Sequence, residues 1–135
     1  MNLGASSEVG PVPRLPVLPH PETDASLGGI AKAYLTEARD ALRGWHDAGA
    51  SGRAVVEAWT AATDRLIEFL VEAATIHYRR RYVQLDQRCA VIAQGGYGRA
   101  ELNPHSDIDL LFLYPHQVTP YVETGTETVL YSLYD

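Results

Sequence analysis

Two short apolar runs, Cys89-Ala90-Val91-Ile92-Ala93 and Leu110-Leu111-Phe112-Leu113, bracket a segment that dictates how the chain between them must turn. The first run empties into Gly95-Gly96-Tyr97-Gly98-Arg99-Ala100-Glu101-Leu102, and the second is headed by His105-Ser106-Asp107-Ile108-Asp109. Apolar runs of this length, bounded by turn signals, suit the strands of a covered sheet. Glycines at 95, 96 and 98 mark a tight strand-to-helix turn. Side chains alternate across a strand, so Asp107 and Asp109 are expected on one face, with Cα atoms roughly 7 Å apart. The acids precede the apolar residues, which puts the carboxylates at one end of a buried strand.

Carboxylates that close repel each other unless a cation sits between them. Mg²⁺ (or Mn²⁺) suits the pair, because it takes hard oxygen ligands and keeps waters or phosphate oxygens in its shell. Glycine backbone N–H groups suit phosphate oxygens, since a Cβ at Gly95 or Gly96 would crowd them. Together the halves supply a nucleoside triphosphate site. Competing signatures fail. A phosphatase with an aspartate nucleophile would carry its acids after the apolar run. A dinucleotide fingerprint would need a small residue where Glu101 stands, and a P-loop would need Lys-Ser or Lys-Thr after the glycines.

The stretch from Val91 to Tyr114 resembles the active-site segment of the nucleotidyltransferase superfamily. Its Gly-Gly-Tyr-Gly-Arg-x-Glu-Leu-x-Pro-x-Ser-Asp-Ile-Asp-Leu-Leu is similar to that of the PII uridylyltransferase/uridylyl-removing enzymes. The resemblance implies a mixed sheet flanked by helices, and transfer of UMP from UTP to a tyrosine hydroxyl of the PII nitrogen-signalling protein, with release of pyrophosphate. It implies phosphate binding at Gly95 and Gly96, a metal pair at Asp107 and Asp109, and a third carboxylate on a later strand. It also implies further hydrolase and sensing domains. The chain is therefore expected to be the N-terminal piece of a longer enzyme, truncated before that carboxylate. A glutamine synthetase adenylyltransferase-like domain is the nearest alternative, and a non-catalytic interaction fragment is the alternative from another class.

Other residues divide between chemistry and structure. Arg99 either contacts phosphate or forms a structural ion pair. Ser106 can add a donor to phosphate, although with Asn103 it more simply serves the turn around Pro104. Glu101 is assigned to the short helix after the glycines, Tyr97 to packing and His105 to solvent. The other histidines have no partners at ligand spacing. Cys89 cannot form an internal disulfide and reads as a small core residue.

Three stretches organise the chain: a flexible proline-rich N-terminus (1–24), a helical region (25–84) and the first part of a nucleotidyltransferase domain (85–135). Five of the eight prolines fall between Pro11 and Pro21, so that segment should be extended and mobile. One helix is expected from Ser26 to Trp45, with Ile30, Tyr34, Ala38 and Leu42 on one stripe, a cap at Asp24 or Ser26, and breaks at Gly49 and Gly52. A second begins near Arg53 and aligns Val55, Trp59, Ala62, Leu66, Phe69, Ala73 and Ile76. A third opens at Thr119-Pro120, with Val122, Val129, Leu130 and Leu133 on its apolar side. A net charge of −6 argues against nucleic acid as a partner. The arginines at 79–81 are expected to be solvated at a helix end, opposite its negative pole. No apolar segment reaches membrane-spanning length and no export signal opens the chain, so a cytoplasmic protein is expected.

Overall fold

The computed structural model describes residues 10–82, 88–115 and 118–134. Helix α1 runs Leu27–Asp47. Ser26 caps it by accepting a hydrogen bond from the Gly29 amide at 3.2 Å. Of the expected stripe, Tyr34, Ala38 and Leu42 are buried together with Ala31, while Ile30 is half-buried at the stripe's edge. A short turn follows, in which Gly49 adopts φ +115. Ser51 then caps helix α2, Gly52–Arg81, through the Ala54 amide at 3.1 Å. Gly52 is thus the first residue of α2 rather than part of the break, because the cap falls one residue earlier.

At 30 residues α2 is the spine of the fold. Val55, Trp59, Ala62, Leu66, Phe69 and Ala73 are all buried, Ile76 only partly. The buried stripe is wider than one helix-facing surface, because α2 is shared. α1 packs along it as an antiparallel hairpin, pinned by Tyr34 Oη donating to the Ala62 carbonyl at 2.9 Å. Helix α4, Pro120–Tyr134, packs on both α1 and α2. Thr119 caps it, and Val122 and Val129 enter the core, with Leu130 and Leu133 half-buried. The Tyr121 ring meets Tyr78 of α2 edge-on at 5.1 Å.

Strands β1 (Ala90–Ala93) and β2 (Leu110–Leu113) form an antiparallel pair, with Val91 opposite Phe112 and Ile92 opposite Leu111. Where a mixed sheet was expected, the described residues hold this pair alone. Only one of its faces is covered. Val91, Ala93, Ile108, Leu110 and Phe112 pack toward the helices, whereas Ile92, Leu111 and Leu113 stand 40–56% exposed. The expectation of a strand buried on both sides fails because a single helical layer backs the sheet. Cys89 falls one residue before β1, and burial beside Val91 and Phe112 raises its thiol pKa.

The proline-rich segment, expected to be extended and mobile, has no helix or strand from Gly10 to His20, yet it is packed. Leu15 and Leu18 lie on the core, and Trp45 Nε1 donates to the Gly10 carbonyl at 2.9 Å. Arg80, in the exposed last turn of α2, reaches Asp24 at 3.3 Å and the Glu22 carbonyl at 3.2 Å. Among the described residues no helix is long and apolar enough to cross a membrane.

Candidate active site

β1 ends at Ala93 and the chain turns at once into α3, the four residues Gly95–Gly98. Two of these positions admit only glycine without strain. Gly95 adopts φ +59, which L side chains rarely take, and a Cβ there would stand 2.9 Å from Asp109 Oδ2. At Gly98 a Cβ would meet the Ala93 carbonyl oxygen at 2.7 Å, so the turn closes only over a bare backbone. The amides of Gly98, Arg99, Ala100 and Glu101 donate back to Gln94, Gly95, Gly96 and Tyr97 carbonyls. Those of Gly95, Gly96 and Tyr97 have no acceptor among the described residues. The loop leaves through Ala100, a non-glycine residue at φ +58.

The acids lie on the neighbouring arm. Gln94 N donates to the Asp109 carbonyl at 2.9 Å, extending the antiparallel pairing one residue past the strands and bringing Asp109 beside the glycine turn. Exposure alternates from Asp107 to Leu113, with Asp107, Asp109, Leu111 and Leu113 exposed and Ile108, Leu110 and Phe112 partly covered. Both acids therefore stand on the open side of the sheet, at the end where β1 turns. Neither carboxylate has a hydrogen bond or ion pair among the described residues. No arginine pairs with Asp109 among the described residues. No cluster of three or more His, Cys, Asp or Glu side chains able to hold a metal occurs among the described residues. Two unneutralised carboxylates are still a donor set that Mg²⁺ accepts, since it completes its shell with water or phosphate oxygens.

The remaining candidates are placed less centrally. Arg99 caps α3, with a terminal guanidinium nitrogen 3.9 Å from where a Gly96 Cβ would lie. Its Nε pairs with Glu101 at 3.7 Å, both side chains being well exposed. Glu101 lies in the loop rather than in the short helix, because α3 closes at Gly98. Ser106 is committed to the turn around Pro104: its Oγ donates to the Asn103 carbonyl at 2.9 Å, while Asn103 Oδ1 accepts from the His105 amide. Tyr97 packs as expected and does more. Its buried phenol donates to Asp64 Oδ1 at 2.6 Å, and burial together with that carboxylate pushes its pKa well above the ordinary tyrosine value. Asp64 and its neighbour Thr60, whose Oγ1 accepts from the Leu102 amide at 3.1 Å, escaped the sequence reading. The available signal was a polar pair four residues apart, with Thr60 set directly beside the apolar stripe of α2.

Residues 33–131 match the family model for glutamate-ammonia ligase adenylyltransferase (GlnE), a span that takes in most of α1, all of α2 and α3, both strands and most of α4. The chain belongs to this nucleotidyltransferase family. It is also similar to curated bifunctional uridylyltransferase/uridylyl-removing enzymes. That of Bradyrhizobium sp. (strain ORS 278) is 42% identical over 112 residues, which is 82% of this chain and 12% of that protein. That of Rhodospirillum rubrum is 36% identical over 116 residues, 84% of this chain and 12% of that protein. The enzyme of Caulobacter vibrioides (strain NA1000 / CB15N) is 43% identical over 88 residues, 64% of this chain and 9% of that protein. The chain thus spans about an eighth of the length of the first two relatives. No solved structure matches.

Proposed function

We propose that this chain carries the nucleotide-binding segment of a metal-dependent nucleotidyltransferase that moves UMP from UTP to a tyrosine hydroxyl of the PII nitrogen-regulatory protein and releases pyrophosphate. The observation that carries this reading is the Asp109 carboxylate set against the Gly95 backbone with no cation paired to it among the described residues. A carboxylate left so beside unbonded amides suits a ligand that brings both a metal and phosphate oxygens. The names of the relatives support uridylyl transfer, and PII as the acceptor rests on the resemblance of the motif alone.

In-line attack at the α-phosphorus needs the triphosphate held still and its charge offset, so positioning and electrostatics do most of the work. Bound Mg²⁺ (or Mn²⁺) would supply charge neutralisation between the phosphate oxygens and the acids. Asp107 and Asp109 would hold it. The Gly95 and Gly96 amides would donate to phosphate oxygens, and Arg99 would add a cation from the C-terminal end of the turn once released from Glu101. Ser106 would contribute a hydroxyl only by exchanging its bond to Asn103.

Titration calorimetry of this chain with UTP, with and without Mg²⁺ or Mn²⁺, tests the reading. The metal is expected to strengthen UTP binding, and Asp107→Ala with Asp109→Ala to abolish that gain. Metal-dependent binding that survives the double substitution removes the acids from the site. The family model's own name supports a second reading, adenylyl transfer in place of uridylyl transfer. Tighter binding of ATP than of UTP would select it, and no binding of either would select a non-catalytic interaction segment.

A further inference from the structure

The helix behind the glycine turn holds it at two points. Thr60 and Asp64 lie four residues apart on α2 and hence one above the other on its surface. Asp64 Oδ1 accepts from Tyr97 Oη at 2.6 Å, and Thr60 Oγ1 accepts from Leu102 N at 3.1 Å. The Thr60 hydroxyl proton is committed to the Val56 carbonyl at 2.8 Å, which leaves its oxygen as a fixed acceptor. Both partners are sealed in the core, Tyr97 at 5% exposure and Leu102 at 1%.

Between those anchors lies a segment that does not hold itself. Four residues are too few for a self-supporting helix, and positive φ at Gly95 and Ala100 works against its shape from either side. Its amides at Gly95, Gly96 and Tyr97 keep their place beside Asp109 only if something outside the segment fixes it. We infer that Asp64, Thr60 and Tyr97 are positioning residues, a clamp from α2 that sets the Gly95–Tyr97 amides relative to the Asp109 carboxylate for a bound nucleotide. This rests on the nucleotide-site reading above. It adds Thr60 and Asp64, which lie outside the glycine and acid motif, and gives the Tyr97 side chain a positioning role.

The test is Mg-UTP affinity by calorimetry and amide hydrogen exchange of the same chain, for Tyr97→Phe, Thr60→Val, Thr60→Ser, Asp64→Asn and Thr63→Val. Thr63 is the control, fully buried on the same helix but bonded only to the Trp59 carbonyl of its own helix at 2.9 Å. Losing one anchoring bond should weaken Mg-UTP binding about tenfold in Tyr97→Phe and in Thr60→Val. Exchange should quicken from Gly98 to Leu102, the bonded amides of the segment, while the middle of α2 stays protected. Thr60→Ser and Asp64→Asn keep an acceptor in place and should bind UTP close to the unsubstituted chain. Thr63→Val should cost stability and leave affinity alone. Unchanged affinity in Tyr97→Phe and Thr60→Val, or an equal loss in Thr63→Val, overturns the clamp and leaves the nucleotide site standing. If the unsubstituted chain binds no Mg-UTP, the site reading falls and the clamp falls with it.

Discussion

The three long helices and the two-stranded sheet solve opposite problems. α2 buries side chains along nearly its whole length, because α1, α4 and one face of the sheet all lean on it. The strands bury no residue completely, and their outer face carries Ile92, Leu111 and Leu113 in the open beside the two acids. Stability is concentrated in the helices, whereas the groups fit for chemistry sit on the part of the fold with the least packing behind them. What links the two is a pair of hydrogen bonds, one partly and one fully buried, in which Tyr97 Oη and Leu102 N donate to Asp64 and Thr60 of α2.

That division can be broken most sharply by truncating matched leucines. Leu66→Ala, at a fully buried position of α2, should cost about 2–5 kcal/mol of unfolding free energy. Leu113→Ala, on the open face, should stay within about 0.5 kcal/mol. Denaturant unfolding of the two variants decides it, and equal losses would mean that the exposed face contributes to the core. Gly98→Ala should cost about 1–3 kcal/mol, because its Cβ is driven onto the Ala93 carbonyl. Gly44→Ala, in α1 with open space around it, should instead stabilise by about 0.5–1 kcal/mol. Thermal unfolding of that pair separates strain in the turn from ordinary helix propensity.

A third expectation concerns alkali. Tyr97 titrates above its ordinary value in the folded chain, through burial first and the Asp64 carboxylate second. A raised folded pKa means that its contribution is whole below a pH of about 10 and is lost as pH climbs through the folded value. Chemical unfolding between neutral and strongly alkaline pH should show that decline, and Tyr97→Phe should flatten it. An identical slope in the variant would assign the decline elsewhere. The smallest effect is expected at the acids themselves. Asp107→Asn and Asp109→Asn should change the unfolding free energy hardly at all, within about 0.5 kcal/mol, since both residues are exposed and their side chains have no partner among the described residues.

Much of the helical half was legible because its signals are local. Ser26 and Thr119 stand at caps, Pro120 opens α4, and the 3.6-residue period of α2 names its buried face. The glycines and acids were legible as a pair because turn chemistry and strand alternation act over a few residues. What escaped depends on distant partners. Whether Leu111 faces protein or solvent is decided by how many layers back the sheet, which a four-residue apolar run does not encode. Leu15 and Leu18 read as parts of a proline-rich tail, yet they dock on surface that α1 and α2 create only when packed. Asp64 looked like an ordinary polar residue until Tyr97, 33 positions away, was folded onto it.

The bond from Gln94 to Asp109 sits one rung beyond the last paired residues of β1 and β2. Strand pairing has a period of two, so a slip by a single residue would swing Asp107 and Asp109 inward against the helices and turn Ile108 and Leu110 out to water. Correct zippering of the hairpin and correct aim of the carboxylates are thus one event. A misregistered molecule would lose the placement of Asp109 against the glycine turn outright rather than by degrees, so a single slip would undo the packing and the arrangement of the acids at the same stroke.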